Sequence, residues 1–290
     1  MTVFVLNSTY QQVHFKYGLA LCRFVPMRFL LLFFSFMLLG FGAFAQELKL
    51  KGTVEGEFNY MTTDHIGRLY LSKGQELFLY SPEGQLLYQF SDLSRGEIVH
   101  LDTRNPMKLL LFYPDYSQIN FLDNTLSKTR EYVDLNSLDL ALAQLACASF
   151  DNGFWVYDPV SFRLVRFDQG LNVTNEVANI NQLVGAEVNP IQIEEFDSWL
   201  YMNDPQNGIF VFDSFGTYSK LIPIAGATQM QVRANGLFLL IGKKIVKYDD
   251  LNLEPIEIDL PVEDFKSVRI EKSMLYILTK DGVQLYSLRK

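Results

Sequence analysis

From Gln46 onward the chain alternates short apolar runs with polar turn clusters, and it nowhere sustains the 3.6-residue period of a long helix. Turn signals recur roughly every eight to twelve residues, the spacing of an all-β sandwich, barrel or propeller. The clearest run is Gly208-Ile209-Phe210-Val211-Phe212-Asp213-Ser214-Phe215-Gly216. Ile209 to Phe212 are β-branched or aromatic, which suits a pleated backbone packed on both faces. Asp213 can accept a bond from the backbone two residues on, and Gly216 tolerates positive φ, so the strand is predicted to reverse there. Ser198-Trp199-Leu200-Tyr201-Met202 is its hairpin partner, across a turn at Asn203 to Asn207.

The same ending recurs along the chain. The turn residues are Ser81, Asp123, Asp168, Asp213, Asp249 and Ser287, at steps of 42, 45, 45, 36 and 38 residues. That matches the period of roughly 40 to 50 residues for a four-stranded propeller blade. The third repeat reads as strands at Leu145 to Phe150, Gly153 to Tyr157, Phe162 to Phe167 and Asn172 to Ile180. The last repeat stops after three strands, whereas Leu48 to Val54 is a surplus strand ahead of the first. Placing that surplus as the outer strand of the last blade closes the ring, so the predicted fold is an all-β, six-bladed β-propeller. Two long connections, Asp134 to Leu145 and Asn179 to Asn189, cross from one blade to the next; the first is expected to hold a helical turn. Both are expected to help build the face that carries a ligand.

The first residues alter what counts as the folded domain. Met27-Arg28, the apolar run Phe29 to Phe41 and the small-x-small Ala43-Phe44-Ala45 form a signal peptide, with cleavage expected before Gln46. Residues 1–26 then read as a mis-called extension, 27–45 as the leader and 46–290 as one propeller domain. Removing 1–45 takes away Lys16, Arg23 and Arg28 and no acid, leaving 22 basic against 33 acidic side chains, a net charge of −11. A chain this acidic, with scattered Lys and Arg, lacks the basic patch that nucleic acid requires. Cys147 is then the single thiol, in the apolar stretch Leu145 to Ser149, and is expected to be a buried packing residue. The expected location is the periplasm or outside the cell, as a monomer with no stable membrane insertion after cleavage.

Asp64-His65-Ile66-Gly67-Arg68-Leu69-Tyr70-Leu71, followed by Leu77-Phe78-Leu79-Tyr80-Ser81-Pro82-Glu83-Gly84, resembles the repeats of six-bladed propellers of the NHL type. Where those repeats carry Asp-x-x-Asn-x-Arg between the two strands, Lys73-Gly74-Gln75-Glu76 stands here. The resemblance implies the architecture and brings no catalytic residue with it.

Motifs with chemistry are absent: no glycine-rich phosphate loop, nucleophile elbow, His-x-x-x-His pair or calcium loop occurs. A zinc site would need His65 or His100 with distant acids, and no metal or cofactor is expected. The informative signal is polar alternation on the innermost strands, where both faces of a blade should pack. Gln229, Gln231 and Arg233 alternate with Met230 and Val232; Gln192 and Glu194 alternate with Ile191 and Ile193; His100 and Asp102 flank Leu101. With Lys266 and Arg269, these residues make a candidate channel set. They either satisfy one another across a water-filled channel or form a pocket for a small molecule or a partner's loop. The expected function is an exported binding or scaffolding module of the cell envelope. The alternative is a hydrolase or lactonase using channel acids such as Asp102 and Glu194 with a divalent metal.

Overall fold

A computed structural model describes residues 48–98, 100–249 and 252–288. The expected extension and leader lie outside the described residues. Strand β1 (Leu48–Glu55) comes first, followed by five complete blades. Blade 1 is β2 (Tyr60–Thr63), β3 (Leu69–Lys73), β4 (Glu76–Tyr80) and β5 (Leu86–Ser91). Blade 2 is β6 (His100–Asp102), β7 (Leu109–Tyr113), β8 (Gln118–Leu122) and β9 (Val133–Asp134). Blade 3 is β10 (Leu145–Ala148), β11 (Phe154–Asp158), β12 (Arg163–Phe167) and β13 (Val173–Val177). Blade 4 is β14 (Gln192–Phe196), β15 (Trp199–Asp204), β16 (Gly208–Asp213) and β17 (Tyr218–Ile222). Blade 5 is β18 (Ala227–Arg233), β19 (Gly236–Ile241), β20 (Lys244–Asp249) and β21 (Asn252–Asp259). Blade 6 has β22 (Ser267–Glu271), β23 (Met274–Leu278) and β24 (Gly282–Leu288), and takes β1 as its fourth strand. The molecule is a six-bladed β-propeller closed by its N-terminal strand.

The turn residues explain the repeat. Asp213 Oδ1 accepts from the amides of Phe215 (2.9 Å) and Thr217 (2.8 Å), and Asp123 Oδ1 does the same for Thr125 (2.8 Å) and Ser127 (2.9 Å). Ser81 Oγ is the weaker hydroxyl version, bonded to the amides of Glu83 and Gln85. One short side chain therefore ties down each of these hairpins between the third and fourth strands. The chain can then turn without a longer loop.

Apolar runs on both faces are explained by where the cores lie. Six clusters of buried side chains each belong to one pair of neighbouring blades. Leu110, Phe112 and Phe121 of blade 2 meet Phe154, Val165 and Phe167 of blade 3, with Phe154 stacked on Phe167 at 5.1 Å. The cluster of Val54, Leu69, Leu71, Tyr276 and Val283 joins blade 6 to blade 1, so the first and last strands share one core. Middle strands such as β7 and β11 are buried along their whole length because each faces two clusters.

Both long crossings are absorbed into these cores. A 3-10 turn at Leu135–Leu138 occupies the first, as expected, and Leu135, Leu140 and Ala143 are buried in the cluster between blades 2 and 3. The second holds a short helix, α1 (Ile180–Val184), and buries Ile180 and Val188 between blades 3 and 4. These buried side chains anchor the crossings, while most of their other residues, Leu142 at 63% and Leu183 at 48% among them, stay exposed.

Ring closure rests on β1 pairing antiparallel with β24, from Leu48 opposite Leu288 to Glu55 opposite Gly282. Gly282 sits at φ +149°, and a Cβ there would lie 2.2 Å from the Val54 carbonyl oxygen. Gly282→Ala is therefore expected to cost about 1–3 kcal/mol, lowering Tm by about 2–12 °C. Thermal unfolding followed by circular dichroism reads this. An unchanged midpoint would mean that β1 is not what holds the ring.

Candidate functional site

The six innermost strands run side by side around an axis without forming a ladder to one another. Each leaves backbone N–H and C=O groups on its open edge, and buried groups of this kind need partners. Side chains supply them. Gln192 Nε2 donates to the Met230 carbonyl (2.7 Å) while its Oε1 accepts from the Met230 amide (2.9 Å). Gln231 does the same to Ile270, at 2.8 and 3.0 Å. A glutamine amide carries one acceptor and two donors, so it stands in for a strand.

A charged pair makes the same two-sided bond elsewhere. Asp102 Oδ2 accepts from the Ala148 amide (2.9 Å), and Arg104, paired to Asp102 at 3.0 Å, donates to the Ala148 carbonyl. Glu194 crosses its seam on one side only, its Oε1 accepting from the Val232 amide at a long 3.4 Å, while the Val232 carbonyl takes a bond from Arg233 of the same strand at 2.8 Å. Between blades 1 and 2 the bridge is Tyr60, whose hydroxyl donates to the Leu101 carbonyl (3.2 Å). Between blades 6 and 1, Lys266 Nζ donates to the Phe58 carbonyl (2.9 Å).

A cavity of about 570 Å³ fills the channel and opens where the first hairpins of the blades gather. Its walls come from the inner strands and from turns at Asp64-His65, Thr103 to Asn105, Ser149 to Gly153 and Phe196 to Ser198. The crossings expected to carry the ligand face lie at the other end of these strands and contribute nothing to it. Of the candidate residues, His100, Asp102, Gln192, Glu194, Arg233 and Arg269 line the cavity. Gln231 is buried in its bridge to Ile270, and Lys266 sits at the opposite end beside a smaller cavity of about 260 Å³.

Three lining groups are not fully used by the bridges. Arg269 donates from one Nη to the Met230 carbonyl (3.1 Å), but its Nε is buried without a partner. His100 Nε2 is likewise buried and unpartnered. Glu194 keeps only the long bond to Val232 and a 3.6 Å approach of Arg233. Burial pushes its carboxyl up, against the pull of Arg233, Arg269 and Arg104. Burial, aided by the Arg269 and Arg104 cations and opposed by Asp102, pushes His100 down to about 4. Burial would raise Asp102 as well, yet the Arg104 guanidinium holds it below the usual range.

Glu195 and the residues around it do not stand out in the sequence. Its side chain is wholly buried between blades 3 and 4, accepting from Ser149 Oγ (2.7 Å), the Phe150 amide (2.8 Å) and Trp155 Nε1 (2.6 Å). Ser149 also accepts from Arg166 Nε (2.9 Å), which pairs with Asp151 at 2.7 Å. The available signal is the doublet Glu194-Glu195: on a strand one carboxylate must face the channel and the other a blade interface. Cys147 is buried and its thiol is pushed well up by burial, as suits a packing residue. Tyr116 and Trp199 are 43% and 40% exposed, and neither lines the cavity.

The donor set does not suit a metal ion. Asp102 is taken by Arg104 and Ala148, and among the described residues no group of three His, Cys, Asp or Glu side chains is placed to hold one.

No family model matches the sequence, and no curated protein matches it either. Solved propellers do match in shape. The chain is similar to a catalytically inactive variant of virginiamycin B lyase from Staphylococcus aureus with quinupristin, at TM-score 0.60 and 12% identity, over 84% of this chain and 100% of that one. It is also similar to a streptogramin B lyase, at TM-score 0.57 and 14% identity, over 84% and 88%. The Neurospora crassa Pan2 WD40 domain matches at TM-score 0.55 and 9% identity, over 85% and 97%. These likenesses establish a shared propeller fold.

Two outcomes are expected. Glu195→Gln replaces one carboxylate oxygen by an NH2 that faces either the Phe150 amide or the Ser149 and Trp155 donors, and should cost about 1–3 kcal/mol, lowering Tm without emptying the cavity; a variant as stable as the parent would show that the carboxylate is dispensable. His100 titrates near pH 4 when folded and near ~6.5 when unfolded. Between these values the unfolded state binds the extra proton, so this residue makes stability fall as pH drops from ~6.5 to ~4. Glu194, raised, acts in the opposite sense. His100→Gln should therefore lose less Tm than the parent between pH 7 and 4.5, and equal losses would contradict the burial of a neutral imidazole.

Proposed function

We propose that the chain is an exported binding module of the cell envelope, and that its ligand site is the central cavity at the first-hairpin face. The observation that carries this reading is a space of about 570 Å³ whose walls include polar side chains that the bridges leave partly unused: Arg269 and His100, each with an unpartnered nitrogen, and Glu194, with only long contacts. That volume lies within the roughly 300–1,000 Å³ of small-molecule sites, which combine apolar walls with a few polar groups. In this proposal residues 27–45 are the leader that directs export, 1–26 lie upstream of its start, and the domain begins at Gln46. No helix among the described residues is long and apolar enough to cross a membrane.

The hydrolase or lactonase alternative has less behind it. Its acids Asp102 and Glu194 serve as edge bridges with Arg104 and Arg233, and the metal it would use has no ligand set among the described residues. The lyase activity of the similar structures belongs to those proteins, because a shared fold at this identity does not bring chemistry with it.

A photo-crosslinking side chain tests the site in the native host. Placed at Phe150, 61% exposed on the cavity wall, it should form adducts with the ligand or its carrier. Placed at Phe215, 71% exposed on an outer hairpin, it should not. The recovered protein should also begin at Gln46 and leave the cell with the envelope or medium fraction. Equal labelling at both positions, or a cytoplasmic protein that retains residues 27–45, would overturn the reading.

A further inference from the structure

The charged groups of the cavity differ in what remains available to a ligand. Most carboxylates on its wall are already engaged. Asp64 accepts from Arg68 Nε (2.7 Å), the Tyr70 hydroxyl (3.1 Å) and three backbone amides; Asp102 and Glu195 are held as described; Glu194 keeps only its long contacts, because Arg233 makes its close pair with Glu271. The cations divide differently. Arg68, Arg104, Arg163, Arg166 and Arg233 each pair with a carboxylate, at 2.7, 3.0, 3.2, 2.7 and 2.8 Å. Arg269 makes no ion pair among the described residues and lines the cavity with a buried, unpartnered Nε.

A guanidinium can only donate, and a buried donor left unmade is costly. The acceptor that would complete it is a planar oxyanion, matched by the two-pronged geometry of arginine. His100, neutral at physiological pH, adds one ring nitrogen on the same channel. The cavity is far larger than an inorganic ion, and part of its wall is apolar. Phe196 of β14 lines it, with Phe150 near the mouth, where the Arg166 guanidinium lies over the Phe150 ring at 4.7 Å.

Resting on the reading of this cavity as the ligand site, we propose that it binds an organic carboxylate, with the carboxyl group on Arg269 and His100 and an apolar body along Phe196 and Phe150. The leader-less domain binds such a molecule through its anionic end despite its own net negative charge, because Asp64, Asp102 and Glu195 are engaged within the wall.

The probes are 2-naphthoate, its neutral isostere 2-naphthamide and inorganic phosphate, titrated calorimetrically into the mature protein at pH 7. Naphthoate is expected to bind at least tenfold more tightly than naphthamide, and phosphate is expected not to displace it. Arg269→Gln should weaken naphthoate at least tenfold and leave naphthamide unchanged; Arg269→Lys should fall between. Arg95→Gln, at an arginine that stacks on Tyr132 at 4.5 Å outside the cavity, controls for fold and net charge and should bind as the parent does. Circular dichroism confirms that each variant is folded. Equal affinity for naphthamide, no naphthoate binding, or an unaffected Arg269→Gln variant would each overturn the carboxylate assignment. Competition by phosphate would overturn the organic body. If crosslinking at Phe150 still finds a ligand in those cases, the cavity remains the site and only its ligand class is wrong; if it finds none, both readings fall.

Discussion

The constraint on which this structure depends is the open edge of each innermost strand. Six strands set around an axis are splayed too far apart to pair as a sheet, yet their inner edges are partly buried and carry unspent N–H and C=O groups. Leaving one such group unmade costs about 1–3 kcal/mol, and a ring has six interfaces at which this could occur. The chain meets the constraint with side chains that imitate a strand: Gln192 on Met230, Gln231 on Ile270 and the pair Asp102–Arg104 on Ala148, with Glu194 reaching the Val232 amide alone. The apolar clusters between blades give most of the burial, and these polar bridges set the register in which neighbouring blades meet.

That division of labour accounts for what could be read in advance. Blade number, strand order and closure by Leu48–Glu55 follow from local signals, because each Asx or Ser turn and each β-branched run acts within about ten residues of itself. The turn at Asp213 is legible from Asp213, Ser214 and Gly216 alone. The alternation Gln192-Ile193-Glu194 is legible too, but its meaning is not. The partners of Gln192 and Glu194 are backbone groups of Met230 and Val232, 38 residues away in the next blade. A backbone partner leaves no mark in composition, so a bridging glutamine and a ligand-binding glutamine look the same in one sequence.

The position of the cavity shows a second limit of the same kind. The crossings at 134–145 and 179–189 stand out as departures from the repeat, and departures invite a functional reading. Their lengthened segments carry Leu135, Leu140, Ala143, Ile180 and Val188, and these plug the cores between blades 2 and 3 and between blades 3 and 4. Extra chain there meets a packing demand. The first hairpins are shorter and more regular, and they gather around the mouth because all six inner strands end on that side.

A ring with six-fold architecture need not be six-fold in chemistry, and here the asymmetry is what makes a site. Blades 1 and 2 bridge through hydroxyls, with Tyr60 on Leu101 and Thr103 on Thr63, and so place no charge on the axis at that seam. Blades 4, 5 and 6 bridge through amides and ion pairs. Arg269 falls at the end of this second series, on the strand next to the hydroxyl-bridged seam, where the neighbouring blade offers Tyr60, Thr62 and an acid, Asp64, already paired with Arg68. Its counterparts are neutralised, Arg104 by Asp102 of the same bridge and Arg233 by Glu271 at 2.8 Å. Arg269, which makes no ion pair among the described residues, is left as the deep positive charge of the wall, and the asymmetry of the bridges is thereby what the proposed carboxylate selectivity rests on.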